Sequence, residues 1–145
     1  FKFPDAAMPG LNFSFSGIKT AFMYFLKDQK KLDENFVENN KADICASLQH
    51  SLVRMLMQKL KRASEETKIN SIAIAGGVSA NSGLRKTLNE LAIKKRWKVY
   101  IPKMEYCTDN AAMIAMAAHF KYEAGIFASQ EISPMPRMSI NKRGE

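Results

Sequence analysis

The stretch that most constrains this chain is Ser71–Asn81, Ser-Ile-Ala-Ile-Ala-Gly-Gly-Val-Ser-Ala-Asn. The apolar run Ile72, Ala73, Ile74, Ala75 is too short for a helix and suits a strand buried on both faces. Gly76 and Gly77 leave the backbone bare where that strand ends, so another group can approach it closely. Ser79, Asn81 and Ser82 are each able to cap the helix predicted over Gly83–Lys95. A strand, a glycine turn and a helix N-terminus in that order form a seat for an anionic or polar ligand. The turn matches neither GxGxxG nor a GxxxxGK loop, so by itself it reads equally well as a tight βα connection whose glycines serve packing alone.

The flanking chain places this turn in an α/β order. Phe1–Pro4 reads as the remnant of a strand and Asp5–Gly10 as a turn carrying Pro9-Gly10. Asn12–Ser16 alternates Phe13 and Phe15 with Ser14 and Ser16, which predicts a strand with one polar face, ended by Gly17. Ile18–Lys27 predicts a helix with Ile18, Ala21, Phe22, Phe25 and Leu26 on one stripe. Asp28–Lys41 is polar and reads as a loop or a frayed helix end. Ala42–Thr67 has Ile44, Leu48, Leu52, Met55, Leu56 and Leu60 at helical spacing and predicts a long helix, with Met55 and Met57 as core filler. After the central strand and the helix Gly83–Lys95, Trp97–Ile101 predicts another strand stopped by Pro102, and Lys103–Cys107 a loop. Thr108 can cap a helix Asp109–Ala124 ended by Gly125. Ile126–Glu145, with Pro134, Pro136 and Gly144, reads as an extended tail. Strands alternating with helices imply an α/β layer structure with at least partly parallel strands, whose ligands bind at the strands' carboxyl ends. Ser16-Gly17, Gly76–Asn81 and Tyr106–Asn110 are expected to gather there.

The 145 residues fit one domain with a real core. No apolar run approaches the ~20 residues that span a bilayer, so no membrane association is expected. A chain that starts Phe-Lys-Phe-Pro-Asp, without Met, reads as a piece of something longer. Cys45 and Cys107 are too few and too far apart for a disulfide framework or a zinc site, which favours a reducing cytoplasmic setting. The net charge of +8, from 22 Lys and Arg against 14 Asp and Glu, permits a polyanionic partner such as RNA. The excess clusters at Lys27–Lys31, Lys59–Arg62, Arg85–Lys98 and Lys142–Arg143. On the helix Gly83–Lys95 the basic face is Arg85, Lys86, Lys94 and Lys95, either a solvated surface or an RNA contact.

Asp109 falls in the first turn of its helix, where the dipole favours a carboxylate. It reads as a capping residue or as a hard metal ligand, and a metal ligand needs partners. The histidines, His50 and His119, form no HxxxH or HExxH pair and read as structural or surface residues. Cys107 has no basic neighbour in sequence and reads as packing.

Three blocks then carry a resemblance. They are Asn12–Ala21 (Asn-Phe-Ser-Phe-Ser-Gly-Ile-Lys-Thr-Ala), Ala75–Asn81 (Ala-Gly-Gly-Val-Ser-Ala-Asn) and Cys107–Ala115 (Cys-Thr-Asp-Asn-Ala-Ala-Met-Ile-Ala). Together and in this order the chain closely resembles the TsaD/Gcp (YgjD) family, the tRNA N6-adenosine threonylcarbamoyltransferases, over about Phe1 to Gly125. The resemblance implies the ASKHA architecture shared by actin, hexokinase and heat-shock chaperones, with a mixed sheet flanked by helices. It implies that this chain is only the C-terminal lobe, residues 1–125 with a tail at 126–145, and that an isolated lobe is inactive. It also implies transfer of a threonylcarbamoyl group from threonylcarbamoyl-adenylate to N6 of the adenosine beside the anticodon, in tRNAs reading codons that begin with A.

Residue by residue, the resemblance makes Asp109 the metal-ligand aspartate. Asn81 becomes the nucleotide contact, with Gly76 and Gly77 the bare backbone against which the nucleotide lies. Ser14, Ser16 and Lys19 become support for the cleft, and no residue is assigned a chemical step. The implied cofactor is one divalent metal, Fe(2+), whose two histidine ligands belong to an N-terminal HxxxH absent from this sequence. The implied partners are tRNA and, in bacteria, a paralogous TsaB-like dimer mate and a small TsaE-like ATPase. The alternatives are a nucleotide-binding ASKHA lobe of a kinase or ATPase, and a non-catalytic partner-binding paralogue. The block around Asp109 argues against both.

Overall fold

The structure is a computed structural model that describes residues 1–3, 8–133 and 136. It divides into two compact units, Phe1–Thr108 and Asp109–Glu145. In the first unit, helix α1 (Phe15–Leu32) is followed by a one-turn helix α2 (Phe36–Asn39) and the long helix α3 (Lys41–Thr67). Strand β1 (Ser71–Ala73), a 3-10 turn (Gly77–Ala80), helix α4 (Ser82–Lys95), strand β2 (Lys98–Tyr100) and a second 3-10 turn (Met104–Tyr106) complete it. The second unit contains helix α5 (Ala111–Glu123).

β1 and β2 pair in parallel, Ile72 opposite Val99, joined by the crossover helix α4. The sheet of the described residues is therefore small and parallel rather than mixed. Its core is Val53 and Met57 from α3, Ile72 from β1, Leu84 and Leu88 from α4, and Trp97. Leu88 is wholly buried, so truncating it to Ala would cost about 2–5 kcal/mol. The long helix forms over nearly the span its periodicity predicts. It stops at Lys68, which takes the left-handed conformation at φ 60°.

The strand expected over Asn12–Ser16 is absent. Ser14 is extended, but it is the residue from which α1 starts, and Ser16 and Gly17 lie inside that helix. The reason is the stripe behind the alternation. Ile18 is buried and Phe22 and Phe25 are half-buried, so the 3.6-residue period takes over at Phe15. Phe13 and Phe15 stack on one another at 6.1 Å and stay exposed, so their alternation marks no core face. Nor is the start of the chain a strand. Phe3 is buried edge-on against Phe22 and Phe25 at 5.5 and 5.3 Å, while Phe1 packs on Phe25 and Phe36. Pro4 and the first half of the following turn lie outside the described residues. The helix also runs on to Leu32, and α2 occupies the segment expected as a loop.

In the second unit the cap of α5 is Asn110, whose Oδ1 accepts the Met113 N–H at 2.9 Å, and not Thr108. Asp109 accordingly precedes the helix instead of lying in its first turn. α5 carries apolar residues on every side and has no buried residue. Beyond it, residues 126–133 contain no helix or strand, and the rest of the expected tail, apart from Pro136, lies outside the described residues.

Candidate functional site

The turn after β1 is closed by its own hydrogen bonds. Gly76 sits at φ 78°, ψ 175°, a conformation open essentially to glycine alone. Its carbonyl accepts both the Ser79 N–H at 2.9 Å and the Ser79 hydroxyl at 2.7 Å. Ser79 is consequently one of the most deeply buried side chains, a pin under the turn rather than a helix cap. Gly77 differs from Gly76. Its φ is ordinary and a Cβ added there would meet nothing within 4 Å. Among the described residues no packing requires a bare backbone at that position.

Of the three candidate caps Asn81 takes the role. Its Oδ1 accepts the Leu84 N–H at 2.9 Å, which satisfies one of the helix's open donors. Its Nδ2 donates to Gln49 Oε1 on α3 at 3.2 Å and keeps a second hydrogen. Asn81 and Gln49 thus form the polar rim of a cavity of about 250 Å³. Its walls are apolar, from Leu48, Leu52 and Leu56 of α3 and Val78 and Leu84 beyond β1. Sequence reasoning missed this cavity because its two walls are far apart in the chain.

Arg85 was expected on the solvated face of α4. Instead it is half-buried, and its guanidinium holds two loops at once. Nε donates to the Ser79 carbonyl at 2.6 Å, and one Nη donates to the Pro102 carbonyl at 2.7 Å and contacts Cys107 Sγ at 3.1 Å. Cys107 is buried and packs as expected, but it does have a basic neighbour, contributed from 22 residues upstream. The signal in sequence was slight. Arg85 follows Leu84, the first inward residue of α4, and so points back over the N-terminal turn.

Ser14 is half-buried at the start of α1 and makes no side-chain cap bond, while Ser16 and Lys19 are exposed on the helix. Ser16-Gly17 is therefore part of a helix and not a loop. Asp109 is exposed. A lone exposed carboxylate suits one position of a divalent metal's coordination shell and does not complete it. Among the described residues no three His, Cys, Asp or Glu side chains come together. His50 is exposed on α3, and His119 lies 3.4 Å from Glu123 one turn along α5.

The chain is thus an α/β protein with a glycine-containing turn between β1 and the N-terminus of α4. A family model described as TsaD, tRNA N6-adenosine threonylcarbamoyltransferase, matches residues 1–116, and the chain belongs to that family. Curated relatives of that name include one from Cytophaga hutchinsonii, 57% identical over 140 residues, and one from Christiangramia forsetii, 51% identical over 137. A third, from Porphyromonas gingivalis, is 45% identical over 140 residues. Each match covers 94–97% of this chain but only 40–41% of the relative, so the chain spans about two fifths of their length.

Proposed function

We propose that this chain is the C-terminal ASKHA lobe of a cytoplasmic threonylcarbamoyltransferase that modifies N6 of the adenosine beside the tRNA anticodon. Residues 1–125 make the lobe and 126–145 its tail. The observation that carries the reading is the turn at residues 76–81 beside the apolar cavity. A flat base suits that cavity, the spare hydrogen of Asn81 Nδ2 is placed at its rim, and Gly77 leaves unneeded room for a ligand. Ser14, Ser16 and Lys19 support the cleft from α1.

The reaction needs little covalent chemistry from this lobe. The adenosine N6 attacks the carbamoyl carbon of threonylcarbamoyl-adenylate, a C–N bond forms, the C–O bond to phosphate breaks, and AMP leaves as N6 loses a proton. The residues here hold the nucleotide: bare backbone at Gly76 and Gly77, the amide of Asn81, and the α4 N-terminus with its partial positive charge. Asp109 would be one carboxylate ligand for a divalent cation, Fe(2+), with two histidines from the other lobe. Such a cation would polarise an acyl oxygen and offset phosphate charge. The exposed lysines of α4, Lys86 and Lys94, face tRNA. The partners of the whole enzyme would be tRNA, a TsaB-like dimer mate and a TsaE-like ATPase.

The test is turnover of the full-length protein with tRNA and threonylcarbamoyl-adenylate, beside the 145-residue chain alone. Product from the full-length protein only is expected. Product from the isolated chain, or from neither, overturns the reading. Phosphorylation of a small molecule in place of transfer would move it to the kinase class.

A further inference from the structure

Arg85 ties together two segments that belong to different βα connections. Its Nε takes the carbonyl of Ser79, the residue whose own N–H and hydroxyl fix Gly76. Its Nη takes the carbonyl of Pro102, at the end of β2, and reaches Cys107 Sγ, which in turn lies 3.4 Å from the Lys103 carbonyl. Among the described residues no carboxylate pairs with this guanidinium, so its charge is met by two carbonyl dipoles and a sulfur. That is an unusual use for an arginine. A cation on an amphipathic helix normally reaches for water or an acid. A planar fork with five fixed donors holds several acceptors at a set separation, and an ammonium cannot.

We infer that Arg85 is a positioning residue: it locks the turn at residues 76–81 to the segment at 102–107, and so sets the shape of the nucleotide-facing turn. Without it the Ser79 carbonyl loses its partner and the 3-10 turn is free to rotate about Gly76. Asn81 then no longer meets the ligand in a fixed orientation. This inference rests on the nucleotide reading of the turn for its functional consequence, but the lock itself does not.

The experiment uses full-length protein carrying Arg85→Met, which keeps an unbranched apolar stem, and Arg85→Lys, which keeps the charge but gathers its donors on one atom in place of the planar fork. Amide hydrogen exchange is followed in residues 76–81 and 102–107, and AMP affinity is measured by calorimetry. For Arg85→Met, exchange about tenfold faster in both segments is expected, with exchange in α3 unchanged. AMP affinity is expected to fall about tenfold, the loss typical of a support one step removed from a ligand. For Arg85→Lys, one segment stays protected and the other loosens. Should Arg85→Met fail to fold, Arg85→Lys carries the test, and unchanged exchange in both segments then overturns the lock. Loosening of a single segment in Arg85→Met also overturns it. Both segments loosening with AMP affinity intact would leave Arg85 structural only, and that overturns the positioning role. Absence of AMP binding by the unsubstituted protein sinks the nucleotide reading, while the exchange data still decide the lock.

Discussion

The turn at residues 76–81 and the stretch from Asp109 through α5 carry two of the three family blocks, yet they are built in opposite ways. The turn is closed on itself: Ser79 pins Gly76, Asn81 caps α4, and Arg85 holds the Ser79 carbonyl. Its hydrogen bonds come from within residues 49–107, with one Asn81 Nδ2 hydrogen left over. In the second unit Asn110 caps its own helix. The Asp109 carboxylate is exposed, and α5 is apolar all round without one buried residue. A helix of that composition belongs inside a larger structure. The difference separates a region whose shape is fixed by hydrogen bonds within the chain from an apolar helix whose residues are all exposed or half-buried here, in a chain that spans about two fifths of its relatives.

The comparison breaks most readily at Asp109. In the full-length protein Asp109→Ala is expected to remove the bound metal and lower turnover more than ~100-fold, since even the outer partners of metal ligands cost 10–100-fold. Elemental analysis that found the metal content unchanged would show that Asp109 is no ligand. The turn and α4 would then carry all of the lobe's site.

α5 supplies the next test. Met116 is 57% exposed in this structure, and a polar substitution at such a site ordinarily shifts stability by no more than about 0.5 kcal/mol. If the rest of the full-length protein covers α5, Met116→Asp should cost about 3 kcal/mol or more there, read as a lower urea midpoint. A neutral result would mean that α5 stays open, and the contrast between the two regions would dissolve.

The two glycines sharpen the other side. Gly76→Ala forces a Cβ into a glycine-only conformation, at a cost of order 1–3 kcal/mol in stability. Gly77→Ala meets open space and should leave the urea midpoint unchanged, yet it places a methyl where the proposed function seats the nucleotide and should then weaken AMP binding about tenfold or more. A stable Gly77→Ala protein with full AMP affinity would return Gly77 to a role in the turn alone.

Much of this was legible in the sequence, and the parts that were not have a common cause. The long helix α3, α4, both strands and the capping role open to Asn81 followed from period, propensity and turn chemistry, all of them local. The Phe13–Phe15 alternation misled because two exposed stacked rings imitate the pattern of a half-buried strand. Arg85 was misplaced for another reason: its three acceptors come from Ser79, Pro102 and Cys107, and only the folded sheet brings them together. The cavity between α3 and the turn was likewise invisible, since Leu48 and Val78 become neighbours only after α3 and α4 have packed.

The smallest effect concerns the basic face of α4, where the lysines differ in how free they are. Lys95 Nζ hydrogen-bonds Glu65 Oε1 at 2.9 Å, while Lys86 and Lys94 carry no such pair among the described residues. That hydrogen bond first, and the charge of Lys95 second, hold the Glu65 carboxyl below its ordinary value of 4.5. A carboxyl whose folded pKa is lowered stabilises the fold above its ordinary value and loses that contribution as pH falls through the lowered one. The pair is exposed, so solvent screens it and the effect is slight. Glu65→Gln should therefore lower the urea midpoint marginally at neutral pH, and the difference from the unsubstituted protein should vanish in acid. The same change frees Lys95 for phosphate, so tRNA affinity should rise by no more than a few-fold, while Lys86→Gln and Lys94→Gln should each reduce the salt slope of tRNA binding by about one. If none of the three substitutions moves that slope, α4 faces solvent rather than tRNA, and the role of this helix reduces to holding the turn at its N-terminus.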